Sequence, residues 1–337
     1  MSEAACWSAA GHGSAALADQ LLQWGRARLH RGEHADAERA FRTAIARARD
    51  DDEARVRIQA QTALAGLWRI RGHYRKAGLL FTLTLPSAER AFGPRAVEVA
   101  TVCNEWAVWG KYTGHFDQAE ALYRRALAIF ETARGQDCEE VATVCHNLGG
   151  LAHTRGDHAA GEPWARRSVE IRRRLLGDDH PTVAADIAAW AALVDSTGRP
   201  KQAEKLLQGA LAIFENVYGP AHHDIAATLH NLAAIAHRHG DLEVAKGHYL
   251  RALDIKDKVL GPGHPESAVT LINLGALHRA QRQPDQAHVY YSRAVEVLQR
   301  AAPDHPHLAA AQRGHAAALA GAHPIPGAPS SRPPARP

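Results

Sequence analysis

Glycine returns every 42 residues along most of this chain, at Gly93, Gly135, Gly177, Gly219 and Gly261, and again at Gly114, Gly156, Gly198 and Gly240. The segments between them align without gaps from Val99, Val141, Val183 and Ile225, and a fifth, one residue shorter, starts at Ser267. Gly72, Ala77 and Phe81 place an earlier copy in the same register, and Gly32, Ala37 and Phe41 a first one set 40 residues before that. A fixed period of this size means like units stacked on one another, each unable to bury its apolar face alone. Seven repeats follow, at 15–50, 53–92, 97–134, 139–176, 181–218, 223–260 and 265–301. An apolar stretch over 306–321 reads as a capping helix, the 1–14 segment as flexible, and the proline-rich 322–337 as a disordered tail.

Within a repeat the period is helical. Ile225, Leu229, Leu232 and Ala236 mark one face at spacings of three and four, and Leu242, Ala245, Tyr249 and Ala252 mark a second face after Gly240. Gly240 stands where a helix end wants a left-handed residue, and Asp241 where the next helix wants a cap. Pro181, Pro265 and Pro306 suit first helical turns, where no N–H is needed. With 46% hydrophobic residues but only 6% aromatics, the core is expected to form from alanine-rich, closely packed helices.

Composition and motifs exclude much else. A formal charge of +4 is far from the excess that nucleic-acid binding asks for. No stretch reaches the ~18 apolar residues of a membrane span, and the N-terminus lacks a basic and apolar leader, so the expected location is cytoplasmic. No serine elbow or phosphate loop is present, so no catalytic residue is assigned and the chain is not expected to be an enzyme. Twenty-two histidines invite a metal. His180, His264 and His305 recur in loops two repeats and then one repeat apart, however, and helices pack ~8–10 Å apart, too far to share an ion held at ~2 Å. No metal or cofactor is expected. Cys103 and Cys145 share one repeat position with Ile187 and Leu229 and read as small core residues. The arginines at 166, 167 and 172–174 read as a solvated helix face.

The repeats resemble the tetratricopeptide repeat, in the 42-residue variety of kinesin light chains and many bacterial proteins. The residues that carry the resemblance are Trp24, Gly25, Ala37, Phe41 and Ala44 in the first repeat, and Trp106, Ala119, Tyr123 and Ala126 in the third. The seventh adds Leu274, Gly275, Ala287, Tyr291 and Ala294. The fourth departs most, with Gly161, Ala165 and Ser168, and is expected to pack loosely. The resemblance implies an all-α, right-handed superhelix of seven helix-turn-helix repeats plus a cap, with first helices lining a concave groove. It implies a protein- or peptide-binding scaffold, or alternatively a regulatory sensor acting on a separate effector chain.

It also implies a site. In such repeats Asn residues on first helices can clamp the backbone of an extended peptide, because an amide donates and accepts at once. The matching positions are Asn147, Asn231 and Asn273, interrupted by Glu105 and Ala189. His146 and His230 stand beside that row. Lys111, His153, Asp195, His237 and Arg279 run a turn and a half further on. An extended, acidic ligand is expected there, with binding that strengthens as His153 and His237 protonate near pH ~6.5.

Overall fold

The computed structural model describes residues 14–48, 53–303 and 305–322; residues 1–13 and 323–337, with the expected tail, lie outside the described residues. Among the described residues every regular element is helical, fifteen helices with no strand. The described residues gather into two compact bodies, divided between Gly177 and Asp178.

The N-terminal body holds α1 (Ser14–His30), α2 (His34–Arg47), α3 (Ala54–Ile70), α4 (Tyr74–Phe92), α5 (Val97–Thr113), α6 (Phe116–Arg134), α7 (Glu139–Arg155) and α8 (His158–Leu176). The C-terminal body holds α9 (Pro181–Ser196), α10 (Pro200–Tyr218), α11 (His223–His239), α12 (Leu242–Leu260), α13 (Ser267–Ala280), α14 (Pro284–Ala301) and α15 (Leu308–Ala322). Odd-numbered helices begin repeats and even-numbered ones complete them. Ser14 and Ala322 are helical, so the outer boundaries expected at 14/15 and 321/322 each move by one residue.

Two kinds of glycine connect the helices. Gly156 ends α7 at φ 89°, ψ 2°, and the Asp157 N–H reaches back to the Ala152 carbonyl at 2.8 Å. That left-handed cap satisfies carbonyls the helix end would otherwise leave bare. Gly177 ends α8 at φ 87°, ψ 162°, a region essentially closed to residues with a Cβ. Gly240 is left-handed as expected, but the Asp241 side chain makes no capping bond. Pro181 does open α9, whereas Pro265 and Pro306 precede their helices by two residues. There the Ser267 N–H bonds the His264 carbonyl and the Leu308 N–H bonds that of His305, each at 3.0 Å, a tight turn before the helix.

The core follows the small–aromatic–small pattern. Ala119, Tyr123 and Ala126 are fully buried, as are Ala245 and Ala252 around Tyr249. The ring of Tyr291 lies against both Gly275 and Gly314, where any Cβ would overlap it, and this seats α15 on its neighbours. The fourth repeat packs closely rather than loosely. A Cβ on Gly149 would stand 3.2 Å from Ala165, Trp164 joins the adjacent core, and the buried Ser168 hydroxyl donates to the Ala142 carbonyl at 2.9 Å.

Candidate functional site

The expected asparagine row separates into two behaviours. Asn147, on α7, donates to the Asn104 Oδ1 on α5 at 3.0 Å, and Asn104 donates in turn to Glu105 Oε1 at 3.2 Å. Asn273, on α13, meets the His230 Nε2 on α11 at 3.3 Å, and its amide acts against the burial that raises the Tyr249 hydroxyl. Both amides thus brace neighbouring first helices through a contact 43 residues apart in sequence. Asn231 is exposed and makes no hydrogen bond among the described residues.

Around Asn147 the N-terminal body gathers charge. Glu105 is half-buried, and burial raises its carboxyl against the pull of Arg69 and Asn104. Lys111 is held below its ordinary value by burial and then by the nearby Arg69 guanidinium. Its Nζ lies 3.5 Å from where a Cβ on Gly150 would stand, across the small-residue floor. Arg69 and Lys111 flank the Tyr112 ring at 5.2 and 5.5 Å, and neither makes an ion pair among the described residues. Sequence reasoning missed Arg69, although it sits 42 residues before Lys111 in the same register. The buried Tyr123 hydroxyl has no hydrogen-bond partner among the described residues. A separate cavity of about 610 Å³ in this body is lined by Arg26, Gln59, Glu98, Thr101, Arg134 and Glu140.

In the C-terminal body a buried network replaces the carboxyl. Lys256 donates to the Glu266 carbonyl and to Thr270 Oγ1, each at 3.1 Å, and His230 Nδ1 lies 3.1 Å from the same hydroxyl. Burial and the Lys256 charge push His230 down to about 4. Its neutral ring carries one N–H and one lone pair, matching the hydroxyl on one side and the amide on the other. His237 stands edge-on to Tyr249, with ring centroids 6.4 Å apart. Arg279 is exposed and without an ion pair among the described residues, while Asp195 is taken by Arg238. His146 is half-buried beside Asn147.

Three sequence expectations change. His153 is lowered by burial and by His158, whose Nδ1 lies 3.2 Å from its own; His237 is lowered by burial and Arg238. Their protonation therefore falls below pH ~6.5 rather than at it. His230 is a brace more than a groove contact. The arginine run is internally matched: Arg166 pairs with Glu170, Arg167 with Glu131, Arg172 with Glu139 and Arg174 with Asp137. Arg166, Arg173 and Arg174 lie on an exposed face, but Arg172, expected there too, is buried.

The even-numbered helices carry a second regularity. Arg125 meets Glu89 at 2.6 Å, Arg167 meets Glu131 at 2.5 Å, Arg293 meets Asp257 at 2.5 Å, and Arg251 meets Glu215, always 36 residues apart. This outer set of charges is spent on holding neighbouring repeats.

Tetratricopeptide-repeat profiles match residues 141–182, 185–258 and 240–300. Residues 141–182 and 185–300 are therefore tetratricopeptide repeats. Among solved structures it is similar to BtubC (BKLC) from P. vanneervenii, with 21% identity, a TM-score of 0.50, and coverage of 83% of this chain and 98% of that one. It is also similar to a putative kinesin light chain from Podosopora anserina, with 20% identity, a TM-score of 0.51, and coverage of 59% and 95%. A third is a signal transduction ATPase with a tetratricopeptide repeat sensor from Pyrococcus horikoshii, with 13% identity, a TM-score of 0.66, and coverage of 89% and 44%. No curated protein matches the sequence. The tetratricopeptide fold supports a protein-interaction scaffold. Among the described residues no helix is long and apolar enough to cross a membrane, and no group of three or more His, Cys, Asp or Glu could hold a metal ion. Burial pushes the Cys103 thiol up to about 11, which suits a core residue rather than a reactive one.

Proposed function

We propose that this protein holds an extended, acidic peptide segment of a protein partner on the faces presented by its odd-numbered helices. The observation that carries this reading is the contrast in how charge is used. The arginines between even-numbered helices are matched one to one with carboxylates, while Arg69, Lys111 and Arg279 make no ion pair among the described residues. Lys111 is partly desolvated with no carboxylate acting on it, which favours an anionic ligand, and Arg279 adds an exposed positive charge. Asn231 is the one predicted clamp amide with both its donors and its acceptor free of bonds among the described residues.

The test begins with a partner captured from the native organism and reduced to its binding peptide. Asn231→Ala should weaken that peptide by ~0.5–1.5 kcal/mol, the net worth of a neutral hydrogen bond, without altering stability. Lys111→Ala with Arg279→Ala should flatten the salt dependence. Acidification should tighten an acidic ligand only below pH ~6.5, since His153 and His237 are both lowered. A triple variant that binds as tightly as the parent would move the site to the outer face.

The likeness to a tetratricopeptide repeat sensor favours a second reading, in which peptide binding here regulates a separate effector chain. A bound effector whose activity changes when the peptide is added would distinguish the two.

A further inference from the structure

One core position is occupied in two incompatible ways. In successive repeats it holds Phe130, Arg172, Phe214, Lys256 and Leu298, each 42 residues after the last. Phe130, Phe214 and Leu298 are buried hydrophobes there, as the register asks. Arg172 and Lys256 are buried cations, 8% and 9% exposed.

Arg172 is closed by its own repeat. Its guanidinium pairs with Glu139 at 3.0 Å and donates to Thr143 Oγ1 at 2.9 Å, both on α7. The residues at those two positions in the sixth repeat are His223 and Ala227, neither of which supplies a carboxylate or a hydroxyl. Lys256 turns instead to α13, where the Glu266 carbonyl and the Thr270 hydroxyl accept two of its three hydrogens. Both acceptors are neutral. The Glu266 carboxylate is bonded to His223 at 2.9 Å, and Lys256 makes no ion pair among the described residues.

Beside Lys256 lies a cavity of about 420 Å³. Ala227 forms part of its wall, Asn231 and His230 stand on the α11 side, and His305 and His307 close it from the loop before α15. Space is therefore open where the fourth repeat has a hydroxyl and a carboxylate, next to an ammonium that makes no ion pair among the described residues.

We propose that this cavity is a carboxylate-binding pocket, in which Lys256 and the Asn231 amide take the side chain of an aspartate or glutamate from a bound peptide. The assignment to a peptide rests on the function proposed above; the pocket itself does not. A carboxylate matches the charge better than a phosphate monoester does. Lys256 brings one positive charge, His230 is neutral beside it, and the Glu266 carboxylate opposes a second negative charge nearby.

The pocket is tested on the full chain with acetate, phosphate and chloride as probes at fixed ionic strength, followed by amide NMR. Acetate should give saturable shifts at the Asn231 side chain, Glu266 and Val269, with phosphate weaker and chloride inert. Lys256→Met restores an aliphatic residue such as Leu298 and should weaken acetate by about tenfold or more, the size of a charge-assisted hydrogen bond. Ala227→Glu keeps Lys256 but fills the pocket with an internal carboxylate, and should abolish the acetate response in a folded chain. Only linear drift with acetate, or an unchanged response in both variants, overturns the pocket. Tighter phosphate than acetate overturns the carboxylate assignment. Because the probes are small anions, an empty pocket leaves the Asn231 and Lys111 tests of the groove standing.

Discussion

The two bodies build the same brace and put opposite charges behind it. In the N-terminal body Asn147 reaches Asn104, and Glu105 lies beyond; in the C-terminal body Asn273 reaches His230, and Lys256 lies beyond. The spacing from amide to partner is 43 residues both times, so the repeat geometry fixes which positions meet. What the positions hold is free to change. One cluster has a carboxyl raised by burial, the other an imidazole lowered by burial and by an ammonium. The departures from the repeat pattern, rather than the pattern, distinguish the bodies chemically.

That difference should appear as opposite responses to acid. His230 is at about 4 when folded against an ordinary 6.5, so on acidification the unfolded chain takes up a proton before the folded one does. Its contribution is complete above pH 6.5 and is lost as pH falls toward 4, an interval worth roughly 3 kcal/mol. Hydrogen exchange of α11 and α13, corrected for intrinsic rates, should therefore lose protection between those values. His230→Asn, which copies Asn104, should flatten the response; a variant that keeps the full loss would assign it to another group.

Glu105 runs the other way and should give a smaller effect, because Arg69 and Asn104 oppose the burial that raises it. Its carboxyl is raised in the fold, so the folded chain binds the proton first and mild acidification stabilises α5. Glu105→Gln should increase the protection of α5 at neutral pH and remove that acid gain. A loss of protection instead would mean the carboxylate makes a favourable contact with Arg69 that outweighs its burial.

The fold was legible because a 42-residue period leaves few ways to bury each repeat's stripe, and the glycines mark both connections. The site was legible in register but not in state. Asn147, Asn231 and Asn273 align by sequence, yet only the neighbouring residues on the preceding first helix decide whether an amide is consumed. Asn147 faces Asn104 and Asn273 faces His230, while the residue 43 before Asn231 is Ala188, which offers nothing. Arg69 and Lys256 carried a readable signal: one continues the Lys111 row backward, the other interrupts a column of hydrophobes. The lowering of His153 and His237 was not readable, since it depends on burial and on how near His158 and Arg238 come.

The smallest contrast is between two tyrosines at one repeat position. The Tyr249 hydroxyl is acted on by the Asn273 amide, whereas the buried Tyr123 hydroxyl has no partner among the described residues, and the corresponding amide, Asn147, turns to Asn104. Both rings fill the same gap between first and second helices, so phenylalanine keeps the packing in either place. Tyr249→Phe should cost ~0.5–1.5 kcal/mol in urea unfolding, since it removes the hydroxyl on which the Asn273 amide acts. Tyr123→Phe should be neutral or slightly stabilising, because it removes a buried hydroxyl that gains nothing in the fold and loses water on the way in. The two measurements share chemistry, volume and register, so their difference isolates the hydrogen bond. Equal costs would mean that the Tyr123 hydroxyl is satisfied by water and that the two braces are the same in energy as well as in geometry.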